Sequence, residues 1–237
     1  MSHSGVKALL FDVFGTVVDW RGSIALEMQR FGKVHDICQD WHQFALDWRA
    51  MYQPAMETIR SGNRGYVKLD QLHRENLQQL LCTYGLHALG ETQLEHINRA
   101  WHRLQPWADT LPGMARLKKN HILASLSNGN VELMVNMAKH SGIPWDMILG
   151  SELAQGYKPQ DKVYLYSAQM LGLRPEQCMM VAAHNDDLHK ARSLGFKTAY
   201  INRPYEYGVA QVNDLEAEAS WDIVGEYMTD VADALGC

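Results

Sequence analysis

Four short segments carry the residue types that can do chemistry, and each lies where an apolar run gives way to polar residues. Asp12-Val13-Phe14-Gly15-Thr16 follows the apolar stretch Val6 to Phe11. Ser127-Asn128-Gly129-Asn130 ends a second run, and Gly156-Tyr157-Lys158-Pro159 precedes a helical stretch. His184-Asn185-Asp186-Asp187 ends a third apolar run, Cys178 to Ala183. A carboxylate at the end of a buried strand is costly unless it is hydrogen-bonded or useful. Asp12 is therefore the leading candidate for the chemistry. A His beside further Asp residues supplies acid–base groups. Each segment also has a plainer reading. The first is a turn, Ser127 and Asn128 are helix caps, Lys158 is a solvated loop charge, and His184 to Asp187 is a polar helix start favoured by the dipole. What argues for one site is the placement of all four at strand ends. In open parallel α/β sheets, those carboxyl ends converge on the edge where ligands bind.

The elements that must position them follow from hydrophobic periodicity. Val6, Ala8, Leu9, Leu10 and Phe11 predict a strand buried on both faces. Residues 22 to about 104 are helical in pattern. Trp41, Phe44, Ala45, Trp48, Met51 and Tyr52 form one stripe at three- and four-residue spacing. Leu69 to Leu81 forms a second, stopped near Gly85, and Leu94 to Leu104 a third, ended by Pro106. From Leu111 onward, helices and strands alternate. Strands are expected at His121–Ser127, Met147–Gly150, Cys178–Ala183, Phe196–Ile201 and Trp221–Val224. That rhythm predicts an α/β fold with a doubly wound, parallel, Rossmann-like sheet carrying an inserted helical segment.

Composition narrows the class. A 46% hydrophobic and 21% charged chain of 237 residues is ordinary for a soluble globular protein. A net charge of −5 argues against a basic nucleic-acid face. The four Cys are scattered with no CxxC pair, which suits a reducing compartment, and Cys178 reads as a buried thiol. The polar start MSHSGVK lacks a signal peptide's apolar core. No apolar run approaches the ~20 residues that span a membrane. A cytoplasmic protein is expected.

Taken together, the motifs resemble the haloacid dehalogenase superfamily, whose members carry DxxxT, a Ser/Thr, a Lys and a terminal acidic motif at successive strand ends. Asp12 with Thr16, Ser127, Lys158 and Asp187 match in order. The resemblance implies a core of residues 1–17 and 109–237, with residues 18–108 as a helical cap. Phosphatases of this superfamily carry a second Asp where Phe14 stands, and an acidic pair for Mg²⁺ whose upstream member is Ala183 here. These two departures imply no metal and no cofactor.

The match is closer to the type II 2-haloacid dehalogenases, with Ser127-Asn128-Gly129, with Tyr157-Lys158-Pro159 and Tyr164, and with Arg49 on the first long cap helix. The plain reading of Arg49 is a surface charge beside the apolar stripe. The resemblance implies hydrolysis of a short 2-haloalkanoic acid to the 2-hydroxy acid. Asp12 would displace halide and form an ester, which water then cleaves. Lys158 and Thr16 would hold Asp12. Ser127 and the backbone N–H groups of Val13, Phe14 and Asn128, with Tyr164, would line the substrate site, and Arg49 and Asn128 would receive the halide. Ala182-Ala183-His184 replaces the usual Ser-Ser-Asn, so His184 is a candidate water activator with Asp187 as orienter or co-base. That variant resembles a subgroup that includes enzymes acting on fluoroacetate. Asp186 stands where the better-known enzymes place a bulky aromatic. The family also implies a possible homodimer. A metal-dependent phosphatase, a non-enzymatic binding protein and a hydrolase of another substrate through the same ester remain as alternatives.

Overall fold

A computed structural model describes residues 5–86 and 88–237; the polar start Met1–Ser4 lies outside the described residues. Six parallel strands make the central sheet: β1 (Ala8–Phe11), β4 (Ile122–Ser127), β5 (Met147–Gly150), β6 (Cys178–Ala182), β7 (Lys197–Ile201) and β8 (Ile223–Gly225). Their spatial order is β5-β4-β1-β6-β7-β8. The chain therefore winds outward from β1 in one direction and then returns to wind outward in the other, the doubly wound arrangement that the alternation predicts. The switch in direction falls beside β1, between β4 and β6. Ligand crevices form at such points, outside the strands' carboxyl ends.

The sheet buries both faces, which is why its central strands are apolar without a break. Alternate residues separate cleanly. Leu9, Phe11, Leu123, Met179 and Val181 pack on one side, against α6 (Thr110–Leu117), α7 (Val131–Ser141) and α11 (Met228–Ala234). Leu10, Ala124, Leu126, Cys178 and Met180 pack on the other, against α9 (Asp161–Met170) and α10 (Asn185–Ser193). Cys178 is fully enclosed and unpaired, and burial pushes its thiol up to about 12.

Between β1 and α6 the described residues make five α-helices: α1 (Trp20–His35), α2 (Trp41–Ala50), α3 (Tyr52–Arg60), α4 (Leu69–Thr83) and α5 (Glu91–Asn98). The stripe from Trp41 to Tyr52 was expected to be one helix, but the chain breaks at Met51. Pro54 explains the break, since it has no N–H to donate back to Ala50. The third stripe changes from α5 to a 3₁₀ turn at Arg99–Arg103, before Pro106 is reached. A two-stranded ribbon, unforeseen in the sequence, pairs β2 (Val18–Asp19) with β3 (Gln105–Pro106) where the chain leaves and rejoins the sheet. Trp107 Nε1 donates to Gly15 O at 2.7 Å, which ties the return path to the turn after Asp12. The apolar cluster on the β1 Leu9 side runs on into these helices through Phe14, Trp20, Trp48 and Trp101. No helix among the described residues is long and apolar enough to cross a membrane.

Candidate active site

Asp12 stands directly beyond β1 and is only 6% exposed. Its carboxylate is held from three directions. Lys158 Nζ donates to Oδ1 at 2.7 Å, Thr16 Oγ1 donates to Oδ2 at 2.8 Å, and His184 Nδ1 lies 3.1 Å from Oδ2. Thr16 is itself fixed, because its Oγ1 accepts from Ala183 N at 2.9 Å. Lys158 also bonds Asp187, whose second oxygen accepts from Tyr164 OH at 2.5 Å. The ammonium thus lies between two carboxylates, one supplied by the end of β1 and the other by the first turn of α10.

Asn128 is positioned by its own carbonyl, which accepts from Ser151 Oγ and from Lys158 N, both at 2.8 Å. The backbone amides of Val13, Phe14 and Asn128 donate to no acceptor among the described residues. These donors surround the carboxylate of Asp12, which suits an anionic ligand. A cavity of about 930 Å³ opens there. Its core side is lined by Asp12, Phe14, Asn128, Lys158, His184 and Asp187, and its helical side by Arg49, Tyr52, Gln53 and Arg60. Arg49 lies over the Tyr52 ring at 4.0 Å from the centroid and over Trp20 at 5.5 Å. Its Nε is buried without a partner, so the guanidinium has a donor to spare. Phe14 is a wall, edge-on to Trp101 and Tyr52 at 5.7 and 6.3 Å.

Three of the expected site residues stand behind this surface rather than on it. Val13, Thr16 and Ser127 are fully enclosed, and the Ser127 hydroxyl accepts from Gly129 N at 3.1 Å. Tyr164 reaches the cavity, but its hydroxyl proton is committed to Asp187. The pairing of His184 with Asp187 is not formed. Asp187 faces Lys158 and Tyr164, whereas His184 Nε2 faces Glu206 Oε2 at 2.8 Å.

Comparison with known proteins gives the family. Residues 6–188 match the family model of haloacid dehalogenase-like hydrolases. The chain belongs to that family. The (S)-2-haloacid dehalogenase H-109 of Pseudomonas putida is 27% identical over 203 residues, spanning 84% of this chain and 86% of that one. An (S)-2-haloacid dehalogenase 4A of Burkholderia cepacia is 27% identical over 96% of this chain and 98% of its own length. Among solved structures, the defluorinating L-2-haloacid dehalogenase Rha0230 has a TM-score of 0.96 at 46% identity, covering 98% of this chain and 96% of that one. The L-2-haloacid dehalogenase PA0810 has a TM-score of 0.95, also at 46% identity, over 98% of this chain and 99% of that one.

In this haloacid dehalogenase-like hydrolase, Glu206 is the site residue that sequence reasoning missed. It sits in the irregular stretch between β7 and β8, where no periodicity marks it. Its carboxyl packs against Gly15, whose φ is +90° and where a Cβ would come within 2.2 Å of it. Arg203, three residues earlier, clamps the stretch by donating to Thr16 O at 3.0 Å and pairing with Asp109 at 2.9 Å.

The electrostatics follow from these contacts. Burial alone would raise Asp12, but the Lys158 ammonium and His184 outweigh it and hold the carboxyl well below its ordinary range. Burial would lower His184, but Glu206 and Asp12 raise it well above 6.5. The folded protein therefore binds this imidazole proton more tightly than the unfolded chain does. The stabilisation is complete below the unfolded value of about 6.5 and is lost as pH rises through the folded one. The gap in Tm between wild type and His184→Gln should accordingly be widest below about pH 6 and narrow as the pH is raised from there. Melting curves across that range check this, and a constant gap contradicts it.

Proposed function

We propose that this chain hydrolyses short 2-haloalkanoic acids to 2-hydroxy acids through an ester on Asp12. The observation that carries the reading is a desolvated carboxylate, held by Lys158 and Thr16, facing a cavity with cationic and amide donors on its far side. One Asp12 oxygen attacks the halogen-bearing carbon as the carbon–halogen bond breaks. Attack at the opposite face inverts that carbon. The amides of Phe14 and Asn128, both on the cavity wall, bind the substrate carboxylate. Arg49 and the Asn128 Nδ2 receive the halide as charge builds on it. Water then cleaves the ester at its carbonyl. The relatives' names support an (S)-2-haloacid as substrate. The 46% identity to the defluorinating enzyme brings fluoroacetate within the proposal, since fluoride needs strong donors of the kind Arg49 supplies.

Residues 18–108 are proposed to act as a cap over the core formed by 1–17 and 109–237. That division supports the reading because Arg49 and Tyr52 come from one part and Asp12 from the other.

The residues do not fit a Mg²⁺ site, and no step is assigned to one. Magnesium takes oxygen ligands in near-octahedral array. Here Phe14 and Ala183 contribute none, and the Lys158 ammonium already bridges Asp12 and Asp187. Halide release should therefore survive EDTA. The deciding experiment measures halide from fluoro-, chloro- and bromoacetate and from both 2-chloropropionate enantiomers, with and without EDTA. Release that EDTA leaves unchanged supports the reading. No release from any of them removes it, and a strict Mg²⁺ requirement favours a phosphatase instead.

A further inference from the structure

We infer that Glu206 is a positioning residue for the second half-reaction, holding His184 as the base that activates water against the Asp12 ester. The inference rests on the proposed dehalogenation and assigns the step that the reading leaves unassigned.

The geometry is that of a relay with a buried end. Glu206 is 1% exposed, and its two oxygens are both engaged: Oε1 accepts from Trp20 Nε1 and Oε2 faces His184 Nε2, each at 2.8 Å. A buried carboxylate with one hydrogen-bond donor and one imidazole is costly unless that imidazole is charged or donates to it. The contact therefore fixes the tautomer, with the proton on Nε2 and Nδ1 directed at Asp12. Asp187 cannot do this, because Lys158 and Tyr164 occupy it. Around His184 the cavity presents Asp12 from the end of β1, Asp186 and Asp187 from α10, and Asp214 from the stretch before β8. Lys158 precedes α9 and Arg49 comes from α2. Of the charged groups among the described residues, Asp12 and Glu206 are the two that pair with the ring.

The chemistry balances as follows. In the resting enzyme both ring nitrogens carry protons, one facing each carboxylate. Displacement of halide turns Asp12 into a neutral ester, which removes one of the two anions stabilising the imidazolium. The Nδ1 proton leaves to solvent and is the proton released by the overall reaction. Water attacks Asp12 Cγ and gives a proton to Nδ1. The tetrahedral adduct breaks its Cγ–O bond to the substrate, and the leaving alkoxide takes that proton from Nδ1 to become the hydroxy acid. Asp12, left as a carboxylic acid, returns its own proton to Nδ1. Glu206 exchanges no proton in these steps, and its bond to Nε2 keeps the ring aimed.

Glu206→Gln separates the two halves. The variant should release about one equivalent of halide per active site at the wild-type rate. It should then accumulate an Asp12 ester visible by intact-protein mass spectrometry, and form hydroxy acid roughly 10²–10³-fold more slowly. Glu206→Asp, which keeps the charge, should recover part of that loss. Should Glu206→Gln fail to fold, Trp20→Phe removes only the donor on Oε1 and is expected to slow ester cleavage about tenfold with the halide burst intact. A Glu206→Gln enzyme that forms hydroxy acid like wild type overturns the inference alone. So does one that loses the halide burst together with turnover, because Glu206 then acts before the ester forms. A wild-type enzyme that releases no halide from any haloacid removes the underlying function as well.

Discussion

Asp12→Asn should abolish turnover, with a loss on the order of 10⁶-fold of the kind seen when a covalent nucleophile is removed. The amide keeps the side chain's size and can still accept from Thr16, so the fold should persist. It has no negative charge with which to displace halide, and the neutral group no longer balances Lys158 and His184. Steady-state halide release measures the effect. Wild-type-like release from the variant would overturn the assignment of Asp12 as nucleophile. A single turnover of the wild type in heavy-oxygen-labelled water gives the complementary result. The hydroxy acid's new oxygen should come from Asp12 and be unlabelled, with the label left in the enzyme. Label in the product of that first turnover would mean that water attacks the substrate directly.

Lys158→Met should be nearly as damaging, and for two separable reasons. The ammonium orients Asp12 and lowers its proton affinity against the opposing effect of burial. Its loss should reduce turnover by about 10³-fold or more, comparable to removing a donor from a preorganised site. It also leaves Asp12 and Asp187 buried without their shared cation. Breaking a buried pair by removing one partner costs about 3–5 kcal/mol. With the cation gone, burial and mutual repulsion raise the carboxyls above their unfolded values, so the penalty is present at neutral pH and is relieved as pH falls through the raised value. The Tm deficit of the variant should therefore be smaller near pH 5 than near pH 7. An unchanged Tm, or a deficit that grows on acidification, would mean that Lys158 is not the charge holding this site together.

Much of the fold and most of the site were legible because their signals are local. Three of the four motifs follow the end of an apolar strand, so a short window contains both the residue and the reason for its position, whereas Lys158 lies in the loop before α9. Cys178–Ala182 and Met147–Gly150 lie where their apolar runs place them for the same reason. The misreadings have physical causes. A hydrophobic stripe records which side of the chain is buried, not whether the backbone is continuous, so Trp41 to Tyr52 looked like one helix although Pro54 divides it. Asp187 was expected to serve His184 as orienter or co-base. One turn of α10 sends them to different partners. Glu206 was out of reach because neither its loop nor its distance along the chain from Asp12 leaves a periodic trace.

The approach of Glu206 to Gly15 has a consequence for divergence within the family. A side chain at the Gly15 position would occupy the space of the Glu206 carboxyl. Substitution at either position therefore constrains the other, and neither can drift alone while His184 keeps its partner. Gly15, His184 and Glu206 should be inherited as a linked trio, which gives a sequence marker for separating members that share this hydrolytic arrangement from those built on Ser and Asn at the same strand end.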